Sequence, residues 1–424
     1  MNDLLITTAT LPDGTTRDVL VRDGLIVDIG SALAVEAVET VDAAGLSLLP
    51  GFVDLHTHLR EPGREDAETI ASGSAAAAAG GFTAVLAMAN TTPVTDTAEA
   101  AERIWDLGRQ VGLVDVHPVG AVTRGLGGEE LAELGLMARS RARVSVFSDD
   151  GRCVADARVM RRALEYVRAF GGVVSQHSQD PHLAPYGSAC CHEGELSGRL
   201  GLPGWPSIAE ETIVARDVML ARHTGSRVHV AHVSTAGSVE VIRWAKTQGI
   251  AVTAEVTPHH LMLTTDELST YDPTYKVNPP LRRPEDVAAL REALVDGTID
   301  AVATDHAPHA RHDKEHAFVD AAFGMLGLET AFGVVWSALG ERLGLAGMAR
   351  VMSSAPASIA ALADQGRPIA VGEPANLTLV DTTAEVRVDR DTSLSLSRNN
   401  PWHDRTFTGS VVATFLRGVR THHG

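Results

Sequence analysis

Lysine is almost absent from the chain. Three lysines stand among 36 basic residues, and none of them precedes residue 246. Arginine supplies nearly all of the positive charge, which is most simply a genomic composition bias. The scarcity still excludes any site that needs a lysine in the first half of the chain. The three positions are Lys246, Lys276 and Lys314.

Cysteine and long apolar runs are also scarce. Cys153, Cys190 and Cys191 are too few and too badly spaced for a disulfide framework or a cysteine-based zinc site. No uninterrupted apolar run reaches the roughly 18 residues of a membrane span. The first residues, Met-Asn-Asp-Leu-Leu, lack the basic segment and cleavage site of a signal peptide. These absences predict a soluble, cytoplasmic protein.

Acidic residues outnumber basic ones, and the formal net charge is −18. Nucleic acids and acidic membranes both require a basic surface, so neither is expected as a partner. A hydrophobic content of 44% is ample for a buried core, and 21% charged residues argues against disorder. The 424 residues exceed one typical domain but fit a barrel with appendages.

The middle of the chain alternates apolar runs with amphipathic stretches. Glycine pairs at 80–81 and 171–172 supply helix stops between them. Eight such units predict an α/β fold of the (β/α)₈ TIM-barrel type. The alternative is an open doubly wound sheet, which normally carries a glycine-rich phosphate turn after its first strand. The apolar runs end near His58, Asn90, Val122, Asp150, His177, Ser234, His260 and His309.

Both ends of the chain look like short β-strands. Residues 3–30 alternate between apolar and polar side chains, and residues 366–420 have the same character. We therefore expect a small composite β-sandwich domain made from residues 1–48 and 364–424. Residues 49–363 would form the catalytic barrel.

Histidines and aspartates collect where the predicted strands end. His56 and His58 are two apart in a strand and would face the same side, as a ready pair of metal ligands. Functional residues of TIM barrels lie at the carboxyl ends of the strands. That rule adds Asp149 or Asp150, His177, His232 and Asp305. His229 is expected to pack on the opposite face, and His192 to lie at the surface.

Six ligands are too many for one tetrahedral zinc ion. They fit two metal ions about 3.5–4 Å apart that share a bridging water. Two cations so close also need an anionic bridging ligand, and either Asp149 or Asp150 can serve. Such a centre activates water for attack on an amide.

At these residues the chain resembles the amidohydrolase superfamily and, within it, the bacterial type I dihydroorotases. The similar motifs follow the family order across residues 50–330. They are Asp54-Leu-His-Thr-His-Leu-Arg-Glu-Pro-Gly63, Met88-Ala-Asn-Thr91, Phe147-Ser-Asp-Asp-Gly151, Glu255-Val-Thr-Pro-His-His260, Val277-Asn-Pro-Pro-Leu-Arg282, Thr304-Asp-His-Ala-Pro-His309 and Phe323-Gly-Met-Leu-Gly-Leu-Glu-Thr330.

The resemblance implies two Zn²⁺ ions per subunit. His56, His58 and Asp305 would hold the first ion and His177 and His232 the second, with Asp150 as the bridge. The implied substrate contacts are His58, Arg60, Asn90, Asn278, His309, Phe323 and Gly324. An arginine beside the histidine pair can bind a substrate carboxylate with two hydrogen bonds. The alternatives are a surface ion pair of Arg60 with Glu61 or Glu65, and a turn cap for Asn90.

The missing lysines bear on this resemblance. Hydantoinases, allantoinases and the other main dihydroorotase type bridge their metals with a carboxylated lysine. No lysine lies between His56 and His232, so an aspartate must bridge here. The usual hydantoinase site is thereby excluded.

The resemblance implies a dihydroorotase activity. The reaction is the reversible cyclisation of N-carbamoyl-L-aspartate to (S)-dihydroorotate and water, the third step of de novo pyrimidine (UMP) synthesis. A hydroxide bridging the metals would attack the ring amide, with Asp305 as general base and then acid. Residues 310–319 would form a mobile lid.

Two other functions stay open. One is an allantoinase-like cyclic amidohydrolase acting on an uncharged ring. The other is a non-catalytic partner of aspartate transcarbamoylase. A homodimer and an association of the active enzyme with aspartate transcarbamoylase are further expectations.

Overall fold

The computed structural model describes residues 3–35 and 39–423. The strands are β1 (Leu4–Thr10), β2 (Thr16–Arg22), β3 (Leu25–Gly30), β4 (Glu39–Asp42), β5 (Ser47–Pro50), β6 (Phe52–Thr57), β7 (Phe82–Ala87), β8 (Asp115–Pro118), β9 (Val146–Phe147), β10 (Val173–Gln176), β11 (Cys191–His192), β12 (Gly204–Trp205), β13 (Val228–Val230), β14 (Val252–Val256), β15 (Ala301–Val302), β16 (Leu377–Arg387), β17 (Thr406–Leu416) and β18 (Val419–His423).

The helices alternate with the strands through the middle of the chain. They are α1 (Ile70–Ala79), α2 (Ala98–Val111), α3 (Leu134–Arg139), α4 (Ala157–Arg168), α5 (Glu195–Leu200), α6 (Ile208–Thr224), α7 (Ala236–Thr247), α8 (Pro284–Asp296), α9 (Arg311–Lys314), α10 (Ala331–Ala349) and α11 (Ala355–Ile359). None of the helices within the described ranges is both long and apolar enough to cross a membrane.

Eight parallel strands close into a barrel. Strands β6, β7 and β8 pair in one run, and β9, β10, β13, β14 and β15 pair in a second. Two parallel bridges join the runs, Gly120 with Phe147 and Thr57 with His306. The predicted (β/α)₈ barrel is confirmed. The doubly wound alternative is wrong, because an open sheet leaves two edges that are joined here.

The strands of the barrel are buried on both faces. Every residue of β6 and β7 is buried, as expected where helices cover a parallel sheet. Local sequence sets where the covering helices begin and end. Thr97 caps α2 by accepting a hydrogen bond from the Ala100 amide, and Gly112 ends it with a left-handed φ of 69°. The chain is thereby turned back toward the start of β8.

The two ends of the chain form one sheet outside the barrel. Its order is β18-β17-β16-β5-β1-β2-β3, with β4 beside β1. The antiparallel pairing of β16 with β5 joins the carboxyl-terminal half to the amino-terminal half. The turn at Gly24 lies against Arg417 of the β17–β18 turn, so the sheet folds over a core of its own. This is the small sandwich of both chain ends that the sequence predicts.

The chain passes from this sheet into the barrel across Gly51. Strand β5 pairs within the terminal sheet as far as Pro50, and β6 begins at Phe52. The residue boundaries predicted for the two domains stay a prediction.

The carboxyl-terminal segment also reaches the rim of the barrel. Asn399 donates hydrogen bonds to the carbonyl oxygens of Ala307 at 2.9 Å and Gly324 at 3.1 Å. The Asn399 side-chain oxygen accepts the amide of His309 at 3.1 Å. A segment outside the barrel therefore helps to shape the loops around the strand ends.

Candidate metal centre

The six predicted ligands meet at the carboxyl ends of the barrel strands. None of them is more than 5% exposed. His56 lies in β6 and the others follow the ends of their strands: His58 after β6, Asp150 after β9, His177 after β10, His232 after β13 and Asp305 after β15.

Asp150 lies in the middle of the four imidazoles. Its Oδ1 atom is 3.2 Å from His56 Nε2, 3.3 Å from His177 Nδ1 and 3.3 Å from His232 Nε2. Its Oδ2 atom is 3.4 Å from His58 Nε2. A carboxylate whose two oxygens face different imidazoles is placed to bridge two ions.

Asp305 reaches the histidine pair from the end of β15, the strand that lies beside β6 where the barrel closes. Its Oδ1 atom lies 3.1 Å from His58 Nε2 and 3.6 Å from His56 Nε2. Two groups of donor atoms result, each spanning no more than 4.8 Å: His56, His58 and Asp305, and His56, Asp150 and His232. His177 joins the second group, because its Nδ1 atom is 3.0 Å from His232 Nε2.

This donor set suits a divalent metal ion. The Nε2 atom of His56 is buried and makes no hydrogen bond within the described residues, although it faces two carboxylates. A buried nitrogen without a partner is costly, and a metal ion would satisfy it. Imidazole and carboxylate together are ligands for Zn²⁺ or a comparable ion.

The electrostatics keep both aspartates ionised. Burial alone raises the pKa of Asp150, but His56, His177 and His232 hold that pKa well below its usual value. Burial likewise raises the pKa of Asp305, and His56 and His58 lower it further than burial raises it. Metal ligation requires the deprotonated form of each carboxyl, and that is the form present at neutral pH.

Glu255 orients His56 through the ring nitrogen that does not face Asp150 and Asp305. The Nδ1–H group of His56 donates to Glu255 Oε1 at 3.0 Å, and the Nε2–H group of His229 donates to Oε2 at 3.0 Å. Burial raises the pKa of Glu255, but the two imidazoles lower it to about 2. His229 is buried, as the packing prediction expects, and its ring also hydrogen-bonds Thr253 and Glu255 of β14.

Two more buried aspartates act on the main chain. Asp54 accepts hydrogen bonds from the amides of His56 at 3.1 Å and Thr304 at 3.0 Å, which ties β6 to the end of β15. Asp149 accepts the amides of Val122 at 2.7 Å and Thr123 at 2.9 Å. Of the adjacent pair 149–150, only Asp150 faces the histidines.

The backbone is left-handed at three residues of the site. Arg60, His232 and Asp305 have φ values of 61°, 33° and 48°. Such conformations cost about 1–3 kcal/mol for residues other than glycine and concentrate at functional sites. Sequence patterns carry no signal for them.

Arg60 turns toward the loop after β15. Its Nε atom donates to the carbonyl oxygen of Pro308 at 3.0 Å. It forms no ion pair with Glu61 or Glu65. The Glu61 side chain instead accepts the amide of Ile70, and the Glu65 side chain accepts the amide of Gly63. The surface ion pair considered for Arg60 is therefore wrong. Burial lowers the pKa of Arg60 to about 10, so the group stays a cation at neutral pH.

Asn90 contacts two of the metal-ligand candidates directly, and Asn278 is linked to a third through Gln179. Asn90 Oδ1 is 3.0 Å from His58 Nδ1, and its Nδ2 group donates to the Asp150 carbonyl oxygen at 3.4 Å. Asn90 therefore caps no local turn. Asn278 Nδ2 donates to Gln179 Oε1 at 3.4 Å, and that oxygen is 3.0 Å from His177 Nε2.

His309, Phe323 and Gly324 form one corner of the rim. The His309 Nε2–H group donates to the Phe323 carbonyl oxygen at 2.6 Å. Gly324 has a φ of 142°, and a Cβ there would lie 2.7 Å from the Cβ of Ala307. A cavity of about 720 Å³ opens beside this corner, lined also by Lys314, Arg398 and Asn399.

His192 does not lie at the surface as predicted. It is 9% exposed, and its Nδ1 atom is 3.3 Å from Nη1 of buried Arg282. The loop that carries it packs over the rim, which the local sequence does not indicate.

Two family models match the chain. The model described as dihydro-orotase-like matches residues 45–238, and the model of the amidohydrolase family matches residues 207–421. The dihydroorotase of Streptomyces coelicolor is 57% identical over 99% of this chain and 98% of its own length. The dihydroorotase of Mycobacterium tuberculosis is 56% identical over 96% of this chain and 95% of its own length.

Solved structures agree on the fold. The L-hydantoinase of Arthrobacter aurescens superposes with a TM-score of 0.88 at 27% identity, covering 99% of this chain and 96% of that one. A dihydropyrimidinase of Brevibacillus agri gives 0.85 at 24% identity, covering 99% of this chain and 94% of that one, and so supports the fold alone. By sequence identity along nearly its whole length, the chain belongs to the dihydroorotase family of the amidohydrolases.

Proposed function

We propose that the chain interconverts N-carbamoyl-L-aspartate and (S)-dihydroorotate, the third step of de novo pyrimidine synthesis. The observation that carries this proposal is the cluster of four histidines around Asp150 and Asp305, with the cationic Arg60 close to it in sequence and at the same rim. The cluster of histidines and aspartates suits hydrolysis of an amide, and Arg60 suits a substrate with a carboxylate. The high identity to proteins named dihydroorotase supports the same reaction.

The proposed cofactor is a pair of Zn²⁺ ions per subunit. His56, His58 and Asp305 would hold one ion and His177 and His232 the other, with Asp150 shared between them. When bound, such a pair lowers the pKa of a water molecule and polarises an amide carbonyl. His56 belongs to both donor groups in the structure, so its assignment to the first ion rests on the family resemblance.

Asp305 is the proposed general base and acid. In ring opening it accepts the proton of the attacking water and passes it to the leaving ring nitrogen. In ring closure it accepts a proton from the carbamoyl nitrogen. Its ionised state at neutral pH fits the first of these steps, because a base must be deprotonated before it acts.

The remaining residues would bind and orient the substrate. The guanidinium of Arg60 can bind the substrate carboxylate through two parallel hydrogen bonds. His58, Asn90, Asn278 and His309 would supply polar contacts, together with the main chain of Phe323–Gly324. All of these lie around one rim of the barrel.

The test is a ring-closure assay on purified protein with metal analysis. Chelation should abolish the conversion, Zn²⁺ should restore it, and elemental analysis should give two zinc ions per chain. Asp305→Asn should lower kcat by roughly 10²–10⁴-fold, the range typical of general acid–base catalysis, while circular dichroism stays unchanged. Full activity of metal-free protein would exclude the metal-dependent mechanism.

An allantoinase-like activity is the second candidate, favoured by the close superposition on a hydantoinase. It needs the metal centre but no partner for a carboxylate. A non-catalytic partner of aspartate transcarbamoylase would need neither, and the complete set of six ligand candidates argues against it. A homodimer, an association with aspartate transcarbamoylase and a cytoplasmic location stay predictions.

A further inference from the structure

Two of the three lysines are buried under one loop at the rim. Lys276 is 2% exposed and Lys314 is 8% exposed. Burying an ammonium group is costly unless its N–H groups are hydrogen-bonded. In a chain that uses arginine nearly everywhere, two buried lysines at one place point to a specific requirement for an ammonium group.

Lys314 has three acceptors for its three donors. Its Nζ atom donates to the carbonyl oxygens of Ala322 at 2.8 Å, Gly324 at 3.0 Å and Lys276 at 3.3 Å. A compact ammonium can point its N–H groups at three converging carbonyls, whereas the planar guanidinium of arginine cannot. Burial and the charge of Lys276 lower the pKa of Lys314 to about 7, while the three carbonyl oxygens favour its charged form.

Lys276 holds the same loop from the other side. Its Nζ atom donates to the carbonyl oxygens of Val319 and Ala321, each at 2.7 Å. The same atom lies 4.3 Å from the centre of the Phe323 ring, within range of a cation–π interaction. The amide of Gly324 donates to the Lys276 carbonyl oxygen at 2.9 Å.

Together these contacts fix the peptide groups of residues 322–324. The Ala322 and Gly324 carbonyl oxygens accept from Lys314, and the Phe323 carbonyl oxygen accepts from His309. The position of Phe323–Gly324 relative to His309 therefore depends on buried ammonium groups. Movement of the lid predicted over residues 310–319 would have to break the hydrogen bonds of Lys314.

We propose that Lys276 and Lys314, here called the lysine clasp, are positioning residues that hold the Phe323–Gly324 main chain in its substrate-binding place. The inference rests on the proposed function, which assigns that main chain to the substrate. Neither lysine is assigned to the chemical step. The clasp should therefore act on KM and leave kcat nearly unchanged.

Lys314→Met tests the clasp, because methionine matches the length of the side chain but donates nothing. We expect KM for dihydroorotate to rise about tenfold, with kcat within about threefold of wild type and zinc content unchanged. Lys276→Met should act in the same direction. Lys246→Met is the matched control, since Lys246 pairs with Asp300 away from the rim at 2.8 Å, and its KM should equal that of wild type.

Chemical rescue distinguishes a specific need for an ammonium group from a nonspecific loss of order in the loop. Methylammonium should lower the KM of Lys314→Ala, and tetramethylammonium, which has no N–H group, should not. Hydrogen exchange of the amides in residues 319–326 should rise in Lys314→Met and stay unchanged in Lys246→Met. This readout needs no turnover and still tests the clasp if the wild type lacks ring-closure activity.

An unchanged KM and unchanged exchange in folded Lys314→Met would overturn the inference. Equal effects of the two ammonium salts would overturn it as well. If Lys314→Met does not fold, Lys314→Arg provides the comparison. Its charge is kept but its planar donors cannot serve the three carbonyls, so KM should still rise.

Discussion

Glu255 Oε1 lies 3.0 Å from His56 Nδ1, and this contact decides which nitrogen of the histidine is free. A carboxylate acceptor keeps the proton on Nδ1, which leaves Nε2, the atom that faces Asp150 and Asp305, as the nitrogen that would bind a metal ion. Partners of this kind raise the basicity of a ligating imidazole and fix its orientation. Glu255 therefore belongs to the centre through its contact with His56.

Glu255→Gln should weaken metal binding. Loss of such a partner typically costs about 10–100-fold in metal affinity, because the imidazole loses its fixed tautomer and part of its basicity. The measurement is competition for Zn²⁺ with a chromophoric chelator. Glu240→Gln, on the exposed face of α7, serves as the control. Equal zinc affinity in the two variants would remove the role of Glu255.

Asp149 and Asp150 are adjacent, but substitution of the first should lower stability and substitution of the second should lower zinc binding. Asp150→Asn removes the charge shared by four imidazoles, so zinc content should fall below one ion per chain and activity should be lost. Asp149→Asn weakens hydrogen bonds to the amides of Val122 and Thr123, which should cost about 1–3 kcal/mol of stability and leave zinc bound. Elemental analysis and urea denaturation of both variants check the pair. The reverse pattern would show that Asp149 is the ligand.

The barrel and the six ligand candidates could be predicted because both depend on local patterns. Apolar runs and glycine stops marked the eight strands, and the strand-end rule selected the histidines and aspartates that the structure brings together. The orienting contacts could not be predicted. His56 and Glu255 are separated by 199 positions, and only closure of the barrel makes them neighbours.

Contacts at the rim of the barrel could not be predicted from the sequence either. Asn399 belongs to a polar segment with no periodic pattern, yet its side chain spans the loops at Ala307 and Gly324. The sequence shows that lysine is absent before residue 246, but the burial of Lys276 and Lys314 depends on main-chain carbonyl groups that no residue type reveals. Main-chain acceptors and left-handed backbone are properties of the folded chain.

Arg60→Ala should separate the two catalytic hypotheses. Truncating one partner of a buried charged pair costs about 2–5 kcal/mol, so kcat/KM for dihydroorotate should fall at least about 30-fold. Activity on an uncharged ring, such as hydantoin, should not fall. Steady-state kinetics on both rings give the answer. Arg342→Ala is the control, since this exposed residue pairs with Glu292 on the outer helices at 2.6 Å. Equal losses on the two rings would exclude a carboxylate-binding role.

The ion pair of Asp115 and Arg417 should make the attachment of the terminal sheet depend on pH. Two hydrogen bonds of 2.7 and 2.9 Å join the carboxylate at the start of β8 to the guanidinium in the β17–β18 turn. Burial raises the pKa of Asp115, but Arg417 lowers it below the usual value. Because the folded pKa is depressed, the unfolded chain binds more protons in acid. The stabilisation is complete above the ordinary aspartate pKa and is lost as pH falls through the folded value.

A double-mutant cycle measures this contribution. Asp115→Asn keeps an oxygen for Gln365 Nε2, which now donates to the carboxylate at 2.8 Å, and Arg417→Gln removes the cation. The Arg417 side chain is 45% exposed, so solvent screens the pair and the coupling free energy should be no more than about 1 kcal/mol at pH 7. Urea denaturation at pH 7 and near pH 3.5 should show the coupling shrinking in acid, and added salt should reduce it at pH 7. A coupling that stays constant across this range would mean that shape complementarity, rather than charge, holds the two domains together here.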